Sequence, residues 1–162
     1  MTSRVADAWE RSISSEDLVK AAYVGGSWEV RSLLVPPRLG TVSGAARYLV
    51  DVRKDMGGVI GRALLGGYFV PAATGNLTVI CAVARTGAMR QRFRAPLGGK
   101  LWAGLPTDYV KGILSAPIFD EGTVPGPGIL VIDRCGTDDL GTSDMAFGVA
   151  TDVLVESFAL GR

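Results

Sequence analysis

The feature of this chain that most constrains its fold is a long run without charge. Ala63 to Ala84 comprises 22 residues with no Asp, Glu, Lys or Arg, which is long enough to span a bilayer as a helix. Glycine and proline interrupt the run at several positions, and Gly75-Asn76 is typical of a turn. We therefore predict two buried strands around this turn rather than a membrane helix, and we expect no membrane partner.

Other strands follow from β-branched runs and their boundaries. Leu77 to Ala84 (LTVICAVA) is expected to be a central strand covered on both faces. Trp28 to Val35 predicts a strand that ends at Pro36-Pro37, because proline cannot donate to a sheet ladder. Two further strands are predicted over 89–95, after a hairpin link at 85–88, and over 129–133.

Two helices are predicted in the first half of the chain. A cap at Ser14 or Ser15 predicts a helix to about Ala22. Between residues 41 and 56, apolar residues recur near the helical period. We predict a helix there, although residues 48–52 also favour a strand.

Two more helices are predicted in the second half. Pro106 is tolerated in the first turn of a helix, and it opens a predicted helix to about Leu114. Ser143 is a capping residue that starts another predicted helix, which continues to Phe158. The predicted apolar face of this last helix consists of Met145, Val149, Val153 and Leu154.

Composition limits the chemistry that the chain can perform. The formal charge of +1, from 17 basic and 16 acidic residues, excludes a histone-like polycation, so anion binding must depend on local clustering. The chain has no histidine, which removes Ser-His and Cys-His nucleophile pairs and the commonest ligand of catalytic zinc. Cys81 and Cys135 are too few for a disulfide framework. We expect a reduced, cytoplasmic setting and no cofactor.

Basic residues cluster between Arg85 and Lys100, a segment without an acidic residue. Arg90, Arg92 and Arg94 alternate with other residues, so a strand would place their guanidinium groups on one face. Such a row suits phosphate recognition, because a guanidinium group is a planar fork of donors. The alternative is a charged edge strand that is protected from aggregation. Both interpretations stay open, and the candidate anion-binding or nucleic-acid-binding set is Arg85, Arg90, Arg92, Arg94 and Lys100.

A second cluster contains carboxylates and hydroxyls. Asp133, Asp138, Asp139 and Asp144 lie close together in sequence, and Ser143 lies beside the last of them. Oxygen ligands of this kind bind Mg²⁺ in proteins, but the spacing matches no metal loop. We predict helix capping and solvated loop acids, and we keep Asp133, Asp138, Asp139 and Ser143 as a second candidate site without a metal.

Two other features invite a catalytic interpretation and are predicted to be structural. The glycine-rich segment Gly57 to Gly67 lacks the Lys-Ser or Lys-Thr ending of a nucleotide-binding loop, so we expect turns or tight packing there. Cys135 has no histidine to act as its base, and a non-catalytic thiol is expected.

From Gly75 onward the order of features resembles domain IV of translation elongation factor G. The matching features, in chain order, are Gly75-Asn76 with the strand LTVICAV, a strand ending near Gly98-Gly99, the helix LPTDYVKGI, Glu121-Gly122, the strand PGILVID and the segment TSDMAFGVA from Thr142 to Ala150. The last segment is similar to the family's Ser-Ser-Glu-Met-Ala-Phe-x-x-Ala segment. The resemblance covers about residues 75–158 of what we expect to be one domain over residues 1–162, and residues 1–74 stay unassigned.

This resemblance implies an α+β fold in which a mixed sheet is packed by helices on one face and contains a left-handed βαβ crossover. In the family, tip loops of the domain enter the decoding region of the ribosome, and the loop from Asp138 to Ser143 would match one of them. The resemblance therefore implies RNA or the ribosome as partner. No segment resembles a GTPase domain, so a stand-alone protein without GTPase activity is expected.

The leading functional hypothesis is binding of RNA or a ribonucleoprotein through the arginine-bearing strand. The contribution would be electrostatic positioning, since Phe93 would point to the opposite face and leave the row without an aromatic stacking partner. The first alternative is a small homo-oligomeric enzyme in which the same arginines hold a phosphorylated or carboxylated metabolite and Asp133, Asp138 or Asp139 acts as general acid or base. The second alternative is a structural or adaptor subunit, so the sequence leaves enzymatic activity open.

Overall fold

A mixed sheet of eight strands, with helices on one side, forms the centre of the part of the chain that the structure describes. The computed structural model describes residues 9–38, 44–55, 57–87 and 90–161. The strands are β1 (Glu10–Ser14), β2 (Gly25–Leu33), β3 (Arg47–Asp55), β4 (Ile60–Pro71), β5 (Leu77–Ala84), β6 (Arg92–Arg94), β7 (Lys100–Ala103) and β8 (Gly128–Thr137). The α-helices are α1 (Val110–Leu114), α2 (Ile118–Glu121) and α3 (Asp144–Leu160), and short 3₁₀ turns occupy Val19–Ala21 and Thr107–Tyr109. The predicted α+β class, with a mixed sheet and helices on one face, is confirmed.

The order of strands across the sheet is β1-β3-β4-β8-β5-β2. Neighbours in this order are antiparallel except β5 and β8, which are parallel from Leu77↔Gly128 to Cys81↔Ile132. Parallel neighbours need a crossover connection, and the chain between them forms β6, β7, α1 and α2. β6 pairs with β7, and β7 pairs with the last residues of β8 at Trp102↔Thr137.

Alternation along the strands places one face of the sheet against the helices. On β3, Tyr48, Val50 and Val52 point into the main core, and the ring of Tyr48 meets Phe158 of α3 edge-on at a centroid distance of 5.0 Å. Helix α3 packs on β3 and β4, and α1 packs on α3. The opposite side of the sheet is covered in part by β6 and β7, whose Phe93 and Leu101 pack with Leu49 and Leu64.

The charge-free run forms two strands, as predicted. Its residues lie in β4 and β5, and Gly75 adopts a positive φ of 107° in the turn between them. The two strands do not pair with each other, because β8 lies between them. Among the described residues, no helix has the length and apolar character needed to cross a membrane. The expectation that β5 is covered on both faces is only half right, since Thr78 and Ile80 on its second face are half-buried.

Both helices predicted in the first half are wrong. The chain at Ser14 ends β1 instead, and the Ser14 hydroxyl accepts the Glu16 N–H at 3.0 Å in a turn. Residues 47–55, within the second predicted helix, form β3. The side chains of β3 alternate between the two faces of the sheet because the strand lies between β1 and β4, and this pairing prevails over the helical spacing.

The predicted hairpin through residues 85–88 is also wrong. Strand β5 has β8 on one side and β2 on the other, so it has no free edge for β6. The predicted strand over 89–95 is shorter, with Arg92–Arg94 in β6, and Met89 lies outside the described residues. The strand predicted at 129–133 is confirmed within the longer β8, and the strand predicted at 28–35 is found as β2, shifted toward Gly25.

The helices predicted in the second half are confirmed. A 3₁₀ turn after Pro106 leads into α1, and the Ser143 hydroxyl caps α3 by accepting the Ala146 N–H at 3.1 Å. One residue of the predicted apolar face is misplaced, because Met145 is exposed whereas Val149 is buried.

Close backbone contacts explain the glycine-rich segment. The pairing of β4 with β8 shifts register between Gly66 and Gly67, and a Cβ atom at Gly67 would collide with the carbonyl oxygen of Val131. Gly57 and Gly58 adopt positive φ angles of 74° and 98° in the turn before β4. The predicted turns and tight packing are confirmed.

Asp152 of α3 is a buried carboxylate with 5% of its surface exposed. Its Oδ1 accepts the backbone N–H of Ile118 at 3.1 Å and so holds the start of α2. Burial raises the pKa of Asp152 to about 6, and the nearby Glu121 and Glu156 act in the same direction. The Ile118 N–H opposes this rise because it favours the charged form.

We predict that Asp152→Asn removes a pH dependence of stability. A folded-state pKa of about 6, raised from 3.8, means that the free energy of unfolding falls as the pH rises from about 4 to about 6. At neutral pH, where Asp152 must be charged, this raised pKa lowers the free energy of unfolding by roughly 3 kcal/mol. The asparagine keeps an oxygen for the Ile118 N–H, so urea unfolding at pH 7 should show a more stable variant. A variant whose stability falls over this range as steeply as that of the original chain would contradict the prediction.

Candidate functional site

The predicted arginine row lies on a β-hairpin formed by β6 and β7. Gly98 and Gly99 adopt positive φ angles of 93° and 72° in its turn. The register places Arg94 opposite Lys100 and Arg92 opposite Trp102. Directly opposed residues of antiparallel strands project to the same face, so these four side chains share one surface.

The other face of the hairpin is buried against the sheet. Phe93 and Leu101 pack with Leu49 of β3 and Leu64 of β4 in a second apolar cluster, on the side of the sheet away from the helices. A Cβ atom at Gly136 of β8 would lie 2.7 Å from the Phe93 ring and 2.9 Å from Leu101. The glycine therefore lets the hairpin lie flat on the sheet, which turns the charged face toward solvent.

Arg90 precedes β6 but belongs to the same surface. Its Nη2 donates to the Thr137 hydroxyl at 2.7 Å, at the end of β8. Its guanidinium carbon lies 5.3 Å from the centroid of the Trp102 ring, and that of Arg92 lies 5.0 Å from the same ring. We call Arg90, Arg92, Arg94, Lys100 and Trp102 the basic hairpin face.

Trp102 is the site residue that sequence reasoning missed. The expectation that the arginines have no aromatic neighbour considered one strand only, and Phe93 does point away as expected. The sequence feature that could have revealed Trp102 is the Gly98-Gly99 pair, which is typical of a hairpin turn. Counting outward from this turn pairs residue 94 with 100 and residue 92 with 102, which brings the tryptophan beside the arginines.

Arg85 lies near the basic hairpin face rather than in it. It follows β5, and its backbone N–H donates to the Val24 carbonyl at 2.8 Å. Arg85 and Arg90 line one cavity of about 330 Å³, together with Thr107 and Asp108. Arg85 thus neighbours Arg90, while the other predicted cations lie on the hairpin itself, and Asp108 is a carboxylate that lines the same cavity.

Some of the described arginines form ion pairs, and others, including Arg11, Arg38, Arg53 and those of the predicted basic set, form none with another described residue. Four of the described arginines pair with aspartates: Arg31 with Asp120, Arg47 and Arg134 with both Asp17 and Asp133, and Arg62 with Asp51. Among the described residues, no carboxylate lies within ion-pair distance of Arg85, Arg90, Arg92, Arg94 or Lys100. The positive charge of the basic hairpin face is therefore not neutralised within the described part of the chain.

The second predicted set does not form one cluster. Asp133 accepts two hydrogen bonds from Arg47, at 2.8 and 3.0 Å, on the sheet. Asp138 accepts the Leu140 N–H at 2.9 Å within its own loop, and Asp139 is exposed. In the described ranges, no group of three or more candidate ligands could hold a metal ion.

An ion-pair network occupies the sheet beside the hairpin. Arg134 donates to both carboxylate oxygens of Asp17, at 3.0 and 3.1 Å, and also lies 3.3 Å from Asp133. The hydrogen bond from Arg134 lowers the pKa of Asp17, although burial acts in the opposite direction. These carboxylates are engaged by arginines, which leaves them poorly suited to general acid or base chemistry.

Both cysteines are buried, which disfavours the thiolate form. Burial raises the pKa of Cys81 to about 12 and raises that of Cys135 well above its usual value. Since the thiolate is the nucleophile, a thiol held neutral is a poor one. The predicted non-catalytic role of Cys135 agrees with this geometry.

A buried ion pair holds the turn of the hairpin. Nη2 of Arg62 donates to both oxygens of Asp51, at 3.0 and 2.9 Å. Nη1 of Arg62 donates to the Gly98 carbonyl at 2.8 Å, and the Leu97 N–H donates to Asp51 at 2.9 Å. Burial raises the pKa of Asp51, while the Leu97 N–H and Arg62 oppose that rise. One pair thus joins β3 and β4 to residues 97 and 98.

No family model, curated protein or solved structure matches this chain.

We predict that Asp51→Ala loosens the hairpin and destabilises the fold. The substitution leaves the Arg62 guanidinium buried without its carboxylate, a change that typically costs about 3–5 kcal/mol. Urea unfolding should show this loss, and hydrogen exchange of the Leu97 amide should accelerate. The double variant Asp51→Leu/Arg62→Met removes both charges and should recover much of the stability. An Asp51→Ala variant as stable as the original chain would rule out this anchoring role.

Proposed function

We propose that the basic hairpin face binds RNA or a ribonucleoprotein through backbone phosphates. The observation that carries the proposal is the cluster of cations on one exposed face without a carboxylate partner; Arg11, Arg38 and Arg53 also form no ion pair among the described residues but are not part of this face. Arg31, Arg47, Arg62 and Arg134 are neutralised by aspartates, whereas the hairpin face has no such partner among the described residues. Arginine and lysine on one exposed face suit the repeated charge of a nucleic-acid backbone.

Trp102 favours single-stranded RNA as the ligand class. The centroid of its ring lies 5.3 Å from the guanidinium carbon of Arg90 and 5.0 Å from that of Arg92. The ring shares its surface with Arg94 and Lys100. Unpaired bases stack on aromatic rings and on guanidinium planes, and such contacts tolerate any sequence. The proposed mode combines phosphate contacts along the hairpin with stacking of a base at Trp102.

We also propose kinship with domain IV of translation elongation factor G. Two observations support it: the parallel, adjacent pair β5 and β8 joined by a crossover that includes α1, and the capped start of α3 within Thr142 to Ala150. The left-handed sense of the crossover is part of this proposal. With RNA or the ribosome as partner, we propose that the protein acts in the cytoplasm.

The enzyme alternative receives less support. It assigned acid or base chemistry to Asp133, Asp138 or Asp139 beside the arginines. None of these three residues lines the cavity that Arg85 and Arg90 share. Asp133 is held by Arg47, and Asp138 accepts hydrogen bonds within its own loop.

We predict that the triple variant Arg92→Gln/Arg94→Gln/Lys100→Gln weakens RNA binding and lowers its salt dependence. Arg90 is left in place because it also donates to Thr137. Loss of three phosphate contacts should reduce the slope of log K against log salt by about 2 for a single strand. The measurement is fluorescence anisotropy with a labelled single-stranded RNA of mixed sequence across a salt series.

A matched control removes the same charge elsewhere. The variant Arg11→Gln/Lys54→Gln/Lys111→Gln also lowers the formal charge by three, from +1 to −2. It should bind with nearly the original slope, because these residues lie outside the basic hairpin face. Equal weakening by both variants would show that only net charge matters and would remove the site assignment.

We predict that Trp102→Ala reduces affinity for single-stranded RNA more than affinity for a duplex of the same sequence. Removing one base–aromatic stack typically costs about 1–3 kcal/mol, whereas a duplex offers no free base to stack. Trp28→Phe, on β2, should change neither affinity. Binding of single strands that is unchanged in Trp102→Ala would leave phosphate contacts alone as the mode of recognition.

A further inference from the structure

Strand β2 is an edge of the sheet with exposed apolar side chains. It pairs with β5 on one side, and no described residue pairs with its other side. Trp28 and Val30 are 58% and 53% exposed. The strand GGSWEVRSL contains neither the lysine nor the proline that often protects an edge from pairing with another strand.

The exposed apolar surface continues from β2 across its neighbours. The strand registers place Val30 beside Ile80 and Ile80 beside Val131, which is buried. A second row begins with the polar residues Ser32 and Thr78 and ends with Ile129 beside Val70. Val30, Ile129 and Val70 are exposed, on the side of the sheet away from the helices. Exposed apolar residues on one face of neighbouring strands are typical of an interaction surface.

We propose that β2 pairs with β2 of a second copy of this chain, antiparallel and about a twofold axis perpendicular to the sheet. This axis keeps each side chain of β2 on the same face of the combined sheet, and opposed residues must point to the same face. The numbers of two opposed residues are therefore both odd or both even, and their sum is the same for every opposed pair. The ladder of β2 is irregular between Gly25 and Ser27, which leaves Ser27 to Leu33 as its regular part. This part is centred on Val30.

Charge complementarity selects this register. Centred on Val30, the pairing places Glu29 opposite Arg31 of the second copy, twice by symmetry. Centring on Glu29 would oppose two carboxylates, and centring on Arg31 would oppose two guanidinium groups. Like charges directly opposite are destabilising, whereas opposite charges stabilise a cross-strand pair. The strand is therefore complementary to itself.

Glu29 is available for this contact, whereas Arg31 already has partners on its own chain. Within the described part of the chain, no cation lies within ion-pair distance of Glu29. Arg31 donates to the exposed Asp120 at 2.8 Å and to the Leu114 carbonyl at 2.6 Å, and it keeps 29% of its side chain exposed, so pairing with Glu29 of the second copy requires it to share or exchange these contacts. In the same register Val30 meets Val30 of the second copy and Trp28 lies opposite Ser32, so the apolar rows of the two sheets become continuous.

A charge exchange tests the register. Glu29→Arg opposes two guanidinium groups, and Arg31→Glu opposes two carboxylates, so each variant alone should sediment as a monomer where the original chain is a dimer. A mixture of the two variants restores both attractive pairs and should form a heterodimer in sedimentation velocity. An original chain that stays monomeric at the highest soluble concentration would overturn the proposal, as would single variants that dimerise as well as the original chain.

A cross-link provides a second test that leaves the charges in place. Opposed residues of antiparallel strands have Cα atoms about 4.5–5.5 Å apart, which is within reach of a disulfide. Val30→Cys should therefore give a covalent dimer under mild oxidation, while the native Cys81 and Cys135 are buried. Ile129→Cys, exposed on the same patch but on interior strand β8, should not. Cross-linking by Ile129→Cys alone would place the contact on the face of the sheet and refute edge pairing.

Discussion

Strand β8 is the element on which the rest of the described structure depends. It pairs with β4 along most of its length, with β5 over its first half and with β7 at its end. Several glycines allow close contacts with β8: a Cβ atom would collide with the Val131 carbonyl oxygen at Gly67, with the Val70 carbonyl oxygen at Gly128, and with the Phe93 and Leu101 side chains at Gly136. Substitution at any of these positions would therefore disturb the packing of β8 against β4 or against the hairpin.

Two kinds of contact between the hairpin and the sheet position the basic hairpin face. Phe93 and Leu101 supply non-directional apolar burial, which keeps the hairpin on the sheet but does not determine its rotation. The Asp51–Arg62 pair supplies direction, because its donors and acceptors reach Leu97 and Gly98 at defined angles. Buried charges are a costly way to stabilise a protein, and their value here is the orientation that they impose on exposed charges.

Local signals predicted the elements that local interactions determine. The cap at Ser143 and the β-branched run of β5 are encoded within a few residues, and both elements were predicted at nearly the right positions. Strand β3 was missed because the apolar spacing over residues 41–56 fits both a helix and a strand, and the choice depends on the distant partners β1 and β4. The hairpin was assigned to the wrong turn for the same reason, since the occupied edges of β5 are not visible in its own sequence.

The residues of the candidate site also differ in whether local sequence is enough to predict them. The cations could be found as a cluster in sequence, because they lie within one short segment of the chain. Trp102 could be found only by pairing two strands across a turn, and the separation of Asp133 from Asp138 required knowing that β8 carries the first into contact with Arg47. Proximity in sequence was thus a sound guide for the arginines and a misleading one for the acids.

The position of two guanidinium groups at Trp102 limits how its ring can be used. The guanidinium carbons of Arg90 and Arg92 lie 5.3 and 5.0 Å from the ring centroid, so the ring already has cation–π partners within its own chain. Under the proposed function, a base that stacks on this ring therefore replaces a contact with a cation rather than filling an open site.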